Sequence, residues 1–111
     1  RRIPIFADAH TGELLRLRFG YCFSAPPGSD YPPILDEKRL IERQPVTIEG
    51  PGGPVTALPF RMIHGSIEAL GFRFGGVAYA SDLNKLPPES EELLHCLDTL
   101  IIDALRYAPH P

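Results

Sequence analysis

Ile63-His64-Gly65-Ser66-Ile67-Glu68-Ala69-Leu70-Gly71-Phe72-Arg73-Phe74-Gly75-Gly76-Val77-Ala78-Tyr79-Ala80-Ser81-Asp82 is the stretch that decides the fold. Two apolar runs flank Gly75-Gly76, a tight hairpin signal. His64-Gly65-Ser66 reads as a second turn. Before it, Val55 to Ile63 reads as a longer strand with Val55, Ala57, Pro59, Arg61 and Ile63 on one face. Pro59 marks an edge or a bulge there, because proline cannot donate to a ladder. Val55 to Ser81 is therefore expected to form an antiparallel meander. Val55 to Ile63 runs up, Ile67 to Phe74 runs down, and Val77 to Ser81 runs up again.

Working outward, Leu83 to Pro88 reads as a loop and a helix follows from near Pro88 to Leu97. The missing N–H of Pro88 costs nothing in a first turn, and Glu89, Glu91 and Glu92 suit the positive end of the helix dipole. Leu93, Leu94 and Leu97 are expected to face the sheet, with Cys96 beside them as a buried, reduced thiol. Thr99 to Ile102 reads as a short buried strand, returned parallel to the preceding one by the helical crossover. On the amino-terminal side, Ile3 to Ala7 reads as a buried strand. Asp8 or Thr11 can cap a helix over Thr11 to Arg18, which Gly20 ends. Tyr21 to Pro33 reads as a packed flap that carries Tyr21, Phe23 and Tyr31. Lys38 to Glu42 and Val46 to Glu49 read as short strands. The expected class is α/β, a mixed sheet with an antiparallel meander and flanking helices.

The direction count places chemistry. His64, Asp82 and Asp103 each follow an "up" strand, so all three are expected along one edge of one sheet, where open α/β sheets hold their ligands. Imidazole and carboxylate donors suit zinc, manganese or iron, and equally suit acid/base work. Each residue also has a plainer reading: a hydrogen-bonding His in a turn, a turn-forming Asp, an Asp that caps a loop.

Composition narrows the rest. The chain has 111 residues, 43% hydrophobic and 23% charged, the balance of one globular domain or part of one. Eleven Lys and Arg against 14 Asp and Glu give a net charge of −3, which argues against a nucleic-acid partner. No apolar run is long enough to span a membrane, and no charged, then apolar, then small-residue leader opens the chain. Cys22 and Cys96 form no CxxC pair, which points to a reducing, cytoplasmic setting. With Arg1-Arg2 at one end and His110-Pro111 after an apolar strand at the other, a piece of a longer protein is expected.

Several stretches resemble the metallo-β-lactamase-fold hydrolases, and within them the bacterial phosphoribosyl cyclic phosphate phosphodiesterases. They are Ile63 to Phe74, Gly76 to Asp82, Ile102 to Arg106, the opening Ile3 to Asp8, and Phe19-Gly20-Tyr21. The resemblance implies an αββα sandwich of which residues 1–111 are the central portion, incomplete at both ends. It implies that His64 ligates one metal, that the Asp82 carboxylate bridges two, and that Asp103 stands behind them, holding a catalytic histidine in orientation. His10 and His95 match no ligand position, and His110 reads as a neighbour of the site. The family's HxHxDH motif, with four more ligands, is absent and would precede Arg1; its catalytic histidine would follow Pro111. The implied cofactors are two divalent ions, manganese or zinc. The implied reaction is hydrolysis of a small cyclic or nucleotide-like phosphate ester by a metal-activated water. Two alternatives stay open: the same fold acting on a nucleic acid end, carboxylic ester or thioester, and a non-catalytic binding domain. The 111 residues alone are expected to be inactive. Apolar sheet surface left uncovered would invite pairing with another chain, a homodimer included.

Overall fold

A computed structural model describes residues 2–81 and 84–103 of the chain. They fall into two compact units, Arg1–Ile41 and Glu42–Pro111. Asp82 and His110 lie outside the described residues.

The first unit is a strand–helix–strand turn of chain. β1 (Ile3–Ala7) pairs in parallel with β2 (Leu35–Arg39), Ile3 opposite Leu35 and Ala7 opposite Arg39. Between them α1 (Ala9–Phe19) begins at Asp8, whose Oδ1 accepts the Thr11 N–H at 2.9 Å, so the cap is Asp8 rather than Thr11. The expected strand over Lys38 to Glu42 lies three residues earlier, at Leu35-Asp36-Glu37-Lys38-Arg39, a run that apolar periodicity does not reveal. Its register is tied to α1 by Glu37, whose side chain is 4% exposed and takes the Arg16 Nε–H at 2.6 Å. Gly12 makes room for that carboxylate: a Cβ there would lie 1.9 Å from Glu37 Oε2. Hydrogen bonding by Arg16 holds the Glu37 carboxyl below the usual glutamate range. β1 is not the buried strand expected; Ile3 is 62% exposed and only Ala7 is buried. After a 3-10 turn over Gly20–Cys22, the aromatic loop is packed at one ring only. Phe23 is buried under the Arg16 guanidinium, 5.2 Å from its centroid, while Tyr21 and Tyr31 are exposed.

The second unit is a five-stranded mixed sheet in the order β3-β4-β5-β6-β7. β3 (Val46–Ile48), β4 (Val55–His64), β5 (Ile67–Phe74) and β6 (Val77–Ala80) are antiparallel in turn, and β7 (Thr99–Ile102) is parallel to β6. The expected meander is therefore present with both of its turns. Each turn is a two-residue loop with glycine first, Gly65 at φ 62° and Gly75 at φ 57°. That is the position at which a type II′ hairpin needs positive φ, conformations costly to any other residue.

β4 buries both faces in part, not one. Phe60 and Met62 are fully buried with Ala78 and Ala80 of β6, and Ala69, Leu86, Leu93, Leu94 and Leu97 pack against them. Ala57 and Pro59, on the alternate face, are buried too. Phe60 stands opposite Gly71, and its ring fills the space a side chain would take: a Cβ on Gly71 would lie 2.3 Å from Phe60 Cζ.

The expected helix to Leu97 is shorter. α2 (Pro88–Glu91) passes into a 3-10 turn over Glu92–Leu94. Arg73 on β5 explains the stop, because its Nη1 donates to the Leu93 carbonyl at 2.9 Å and the His95 carbonyl at 2.6 Å. Cys96 then adopts φ 59° and is exposed, so the buried thiol expected there is corrected. The Asp98 and Thr99 N–H groups reach the Gly76 carbonyl, at 2.8 and 3.1 Å, and enter β7. β7 is exposed along its whole length, not the buried strand expected.

Candidate metal and catalytic site

β4, β6 and β7 run in one direction, so their carboxyl ends at His64, Ala80 and Ile102 line one edge of the sheet. His64 closes β4 opposite Ile67, is half-buried, and is followed at once by the Gly65 reversal. Asp103 follows β7 and is exposed. Three strand spacings of about 4.8 Å separate β4 from β7, so the two backbones stand roughly 14 Å apart. His64 and Asp103 thus share an edge without meeting directly. Asp82 follows β6 in sequence, and its expected convergence with His64 lies outside the described residues. His10 and His95 are both exposed, as expected of surface residues.

The outer side of β4 near His64 is covered by loop and helix rather than by a strand. β3 pairs with β4 only over Val55 to Ala57. Beyond it the carbonyls on that side take other donors. The Pro59 oxygen accepts the Arg43 N–H at 2.8 Å, and the Arg61 oxygen accepts the Ser90 hydroxyl at 2.6 Å. The Ile63 oxygen accepts the Asn84 and Lys85 N–H groups at 3.0 and 3.1 Å, and the Ile63 N–H donates to the Lys85 carbonyl at 2.9 Å. Pro59 resolves accordingly. In a strand the N and C=O of one residue point the same way, so its missing N–H faces the side that β3 has already left.

Charge gathers on the same stretch. The Arg61 guanidinium bonds Glu89, pairs with Glu68 at 3.1 Å, and lies 3.8 Å from Glu42. Arg43 bonds the Glu89 carbonyl and pairs with Glu92 at 3.6 Å. The hydrogen bond from Arg61 holds the Glu89 carboxyl below the glutamate range, and the same bond raises Arg61 further above neutrality. The sequence marked Arg61 only as a strand residue and Glu89 only as a charge at a helix start, and it did not mark Ser90. The signal was there: one arginine inside Leu58-Pro59-Phe60-Arg61-Met62-Ile63, a run otherwise without charge, needs acidic company.

Among the described residues no three His, Cys, Asp or Glu side chains gather closely enough to hold a metal ion. The described donor at the sheet edge, the His64 imidazole, is of the kind zinc and manganese accept. It fits such an ion as one member of a ligand set.

The family model described as beta-lactamase superfamily domain matches residues 1–111. The chain belongs to this superfamily. Its five-stranded mixed sheet and its helices are those of the metallo-β-lactamase fold, as the resemblance implied. A solved diphosphatase of the PhnP family is 32% identical with a TM-score of 0.77, over 100% of this chain and 38% of that one. An octanoyltransferase of Porphyromonas gingivalis (strain ATCC BAA-308 / W83) is 28% identical over 114 residues, 100% of this chain and 22% of the relative. The chain thus spans well under half the length of either protein. Members of the superfamily generally bind divalent metals such as zinc. None of the described helices is long and apolar enough to cross a membrane.

Proposed function

We propose that residues 1–111 form the central portion of a metal-dependent hydrolase domain, a phosphodiesterase for small cyclic or nucleotide-like phosphate esters. The observation that carries the reading is the likeness to a diphosphatase, 32% identical at a TM-score of 0.77 along the whole of this chain. The sheet edge supports it, since His64 stands at the carboxyl end of β4, where this architecture places its ligands.

In this reading His64 supplies one terminal nitrogen donor and Asp82 a carboxylate with an oxygen for each of two ions. Asp103 orients a neighbouring histidine by accepting its ring N–H, which fixes the tautomer. Two divalent ions, manganese or zinc, supply Lewis acidity toward a phosphoryl oxygen when bound. The net charge of −3 favours a small substrate over a polyanionic strand. The protein acts in the cytoplasm, alone or as a homodimer. The 111 residues by themselves bind manganese or zinc weakly and hydrolyse nothing, because His64 and Asp82 leave most of a dinuclear ligand set to other segments.

The test uses the protein that carries this chain, loaded with manganese, on bis(p-nitrophenyl) phosphate and on p-nitrophenyl acetate. Turnover of the phosphodiester alone is expected. Turnover of the carboxylic ester alone would move the substrate class to esters or thioesters. No turnover of either by a metal-loaded protein would favour a binding domain.

A further inference from the structure

We infer that Ser90 is a positioning residue for His64, acting through the outer edge of β4. The inference rests on the reading of His64 as a metal ligand.

Ser90 is 1% exposed, and no other polar or charged side chain among the described residues is as buried. A buried hydroxyl needs a partner, and this one donates to the Arg61 carbonyl at 2.6 Å. That carbonyl lies on the side of β4 from which β3 has departed. Two residues on, Ile63 is bonded in both directions to Lys85. Between Lys85 and Ser90 the chain starts α2, with the Ser90 N–H on the Pro87 carbonyl at 3.0 Å. Segment 84–90 thus stands where a strand would. It fixes the backbone of Arg61 and Ile63, and through Ile63 the carbonyl that joins the next peptide to His64. The second turn of the clamp is charged, Glu89 on Arg61, and that pair faces Glu42, Glu68 and Arg43 as well. Loss of the Ser90 hydroxyl leaves the Arg61 carbonyl without this donor in a closed space. β4 can relax outward there, and His64 moves with it.

Groups hydrogen-bonded to a metal-bound side chain typically change metal affinity by about 10–100-fold when removed; Ser90 acts one step further back, on the backbone that carries His64, so the low end of that range is its upper limit. Calorimetric titration with manganese, on the protein that carries this chain, compares the parent with Ser90→Ala, Ser90→Cys and His64→Ala. Each is corrected for its folded fraction by circular dichroism. The expected result is manganese binding weaker by up to about tenfold in Ser90→Ala, a smaller loss in Ser90→Cys, and loss of one site in His64→Ala. A structural role alone would lower the folded fraction and leave affinity per folded molecule unchanged. Parent affinity in folded Ser90→Ala, with binding lost in His64→Ala, overturns the inference and leaves the site reading intact. Parent affinity in His64→Ala overturns the site reading itself. Where Ser90→Ala does not fold, Ser90→Cys decides, since it keeps the side-chain shape with one larger atom and weakens the hydrogen bond; parent affinity there overturns the inference.

Discussion

β6 and β7 are neighbours paired residue for residue, Val77 with Thr99 through Ala80 with Ile102, and both are apolar. Yet only β6 buries a face, at Ala78 and Ala80, while its Val77 and Tyr79 are 39% and 45% exposed. Ala78 and Ala80 are 0% and 1% exposed, while Leu100, Ile101 and Ile102 are between 44% and 48% exposed. Small side chains on β6 let Leu86, Leu93, Leu94 and Leu97 close down on Phe60 and Met62. β7 presents larger residues, and no strand pairs with its far side among the described residues. An apolar run marks surface that should be covered, and does not say what covers it.

Substitution can break that comparison at either strand. The largest effect is expected in the core under β6: Phe60→Ala should cost about 3–5 kcal/mol in denaturant unfolding, since the ring also fills the space above Gly71. A loss below about 1 kcal/mol would mean the core is not organised around that ring. Ile101→Ala on β7 sharpens the contrast. An open, apolar edge strand invites pairing, so in the protein that carries this chain a further segment is expected to cover β7, and the substitution should cost about 2 kcal/mol. A change within about 0.5 kcal/mol would show that β7 faces water there as well.

Acid should act on the segment that covers β4. Glu89, and Glu37 in the first unit, have carboxyls held below the ordinary glutamate value by arginine hydrogen bonds. Their contribution is complete above that ordinary value and is lost as pH falls through the lowered one. Stability followed by urea midpoint should fall as pH drops below the ordinary glutamate value of 4.5, and Glu89→Gln should flatten part of the fall. An identical profile in the variant would detach Glu89 from acid stability. The smallest effect belongs to the sheet's other margin, where the hydroxyls of Thr47 and Thr56 are 3.0 Å apart. Thr56→Val should change stability by about 0.2–1 kcal/mol.

What could be read in the sequence depended on whether short-range chemistry set the structure. The meander was legible because glycine at Gly65 and Gly75 meets a local demand for positive φ. β1 was legible to the residue, Ile3 to Ala7, because it ends at the helix-capping Asp8. β2 was misplaced because its register depends on Glu37 meeting Arg16 and Gly12, 21 and 25 positions away in a run that is mostly charged. α2 was drawn too long because its stop comes from Arg73, on a strand about 20 residues earlier. The edge shared by His64 and Asp103 followed from counting strand directions. The clamp of Ser90 on Arg61 did not, since nothing local marks a serine that reaches a carbonyl 29 residues away.

On the function proposed above, the carboxyl edge of the sheet holds a hydrolase's metals with His64 and Asp82 among the ligands. The most direct measurement is the manganese and zinc content, by elemental analysis, of the protein carrying this chain and of Asp82→Asn and His10→Ala, with phosphodiesterase turnover on the same samples. Asp82→Asn keeps the shape but removes the charge that lets one side chain serve two cations. Asp82→Asn is expected to lose most of its metal and most of its activity, while His10→Ala, at an exposed position of α1, keeps both. Equal metal content and equal turnover in the two variants would contradict the claim.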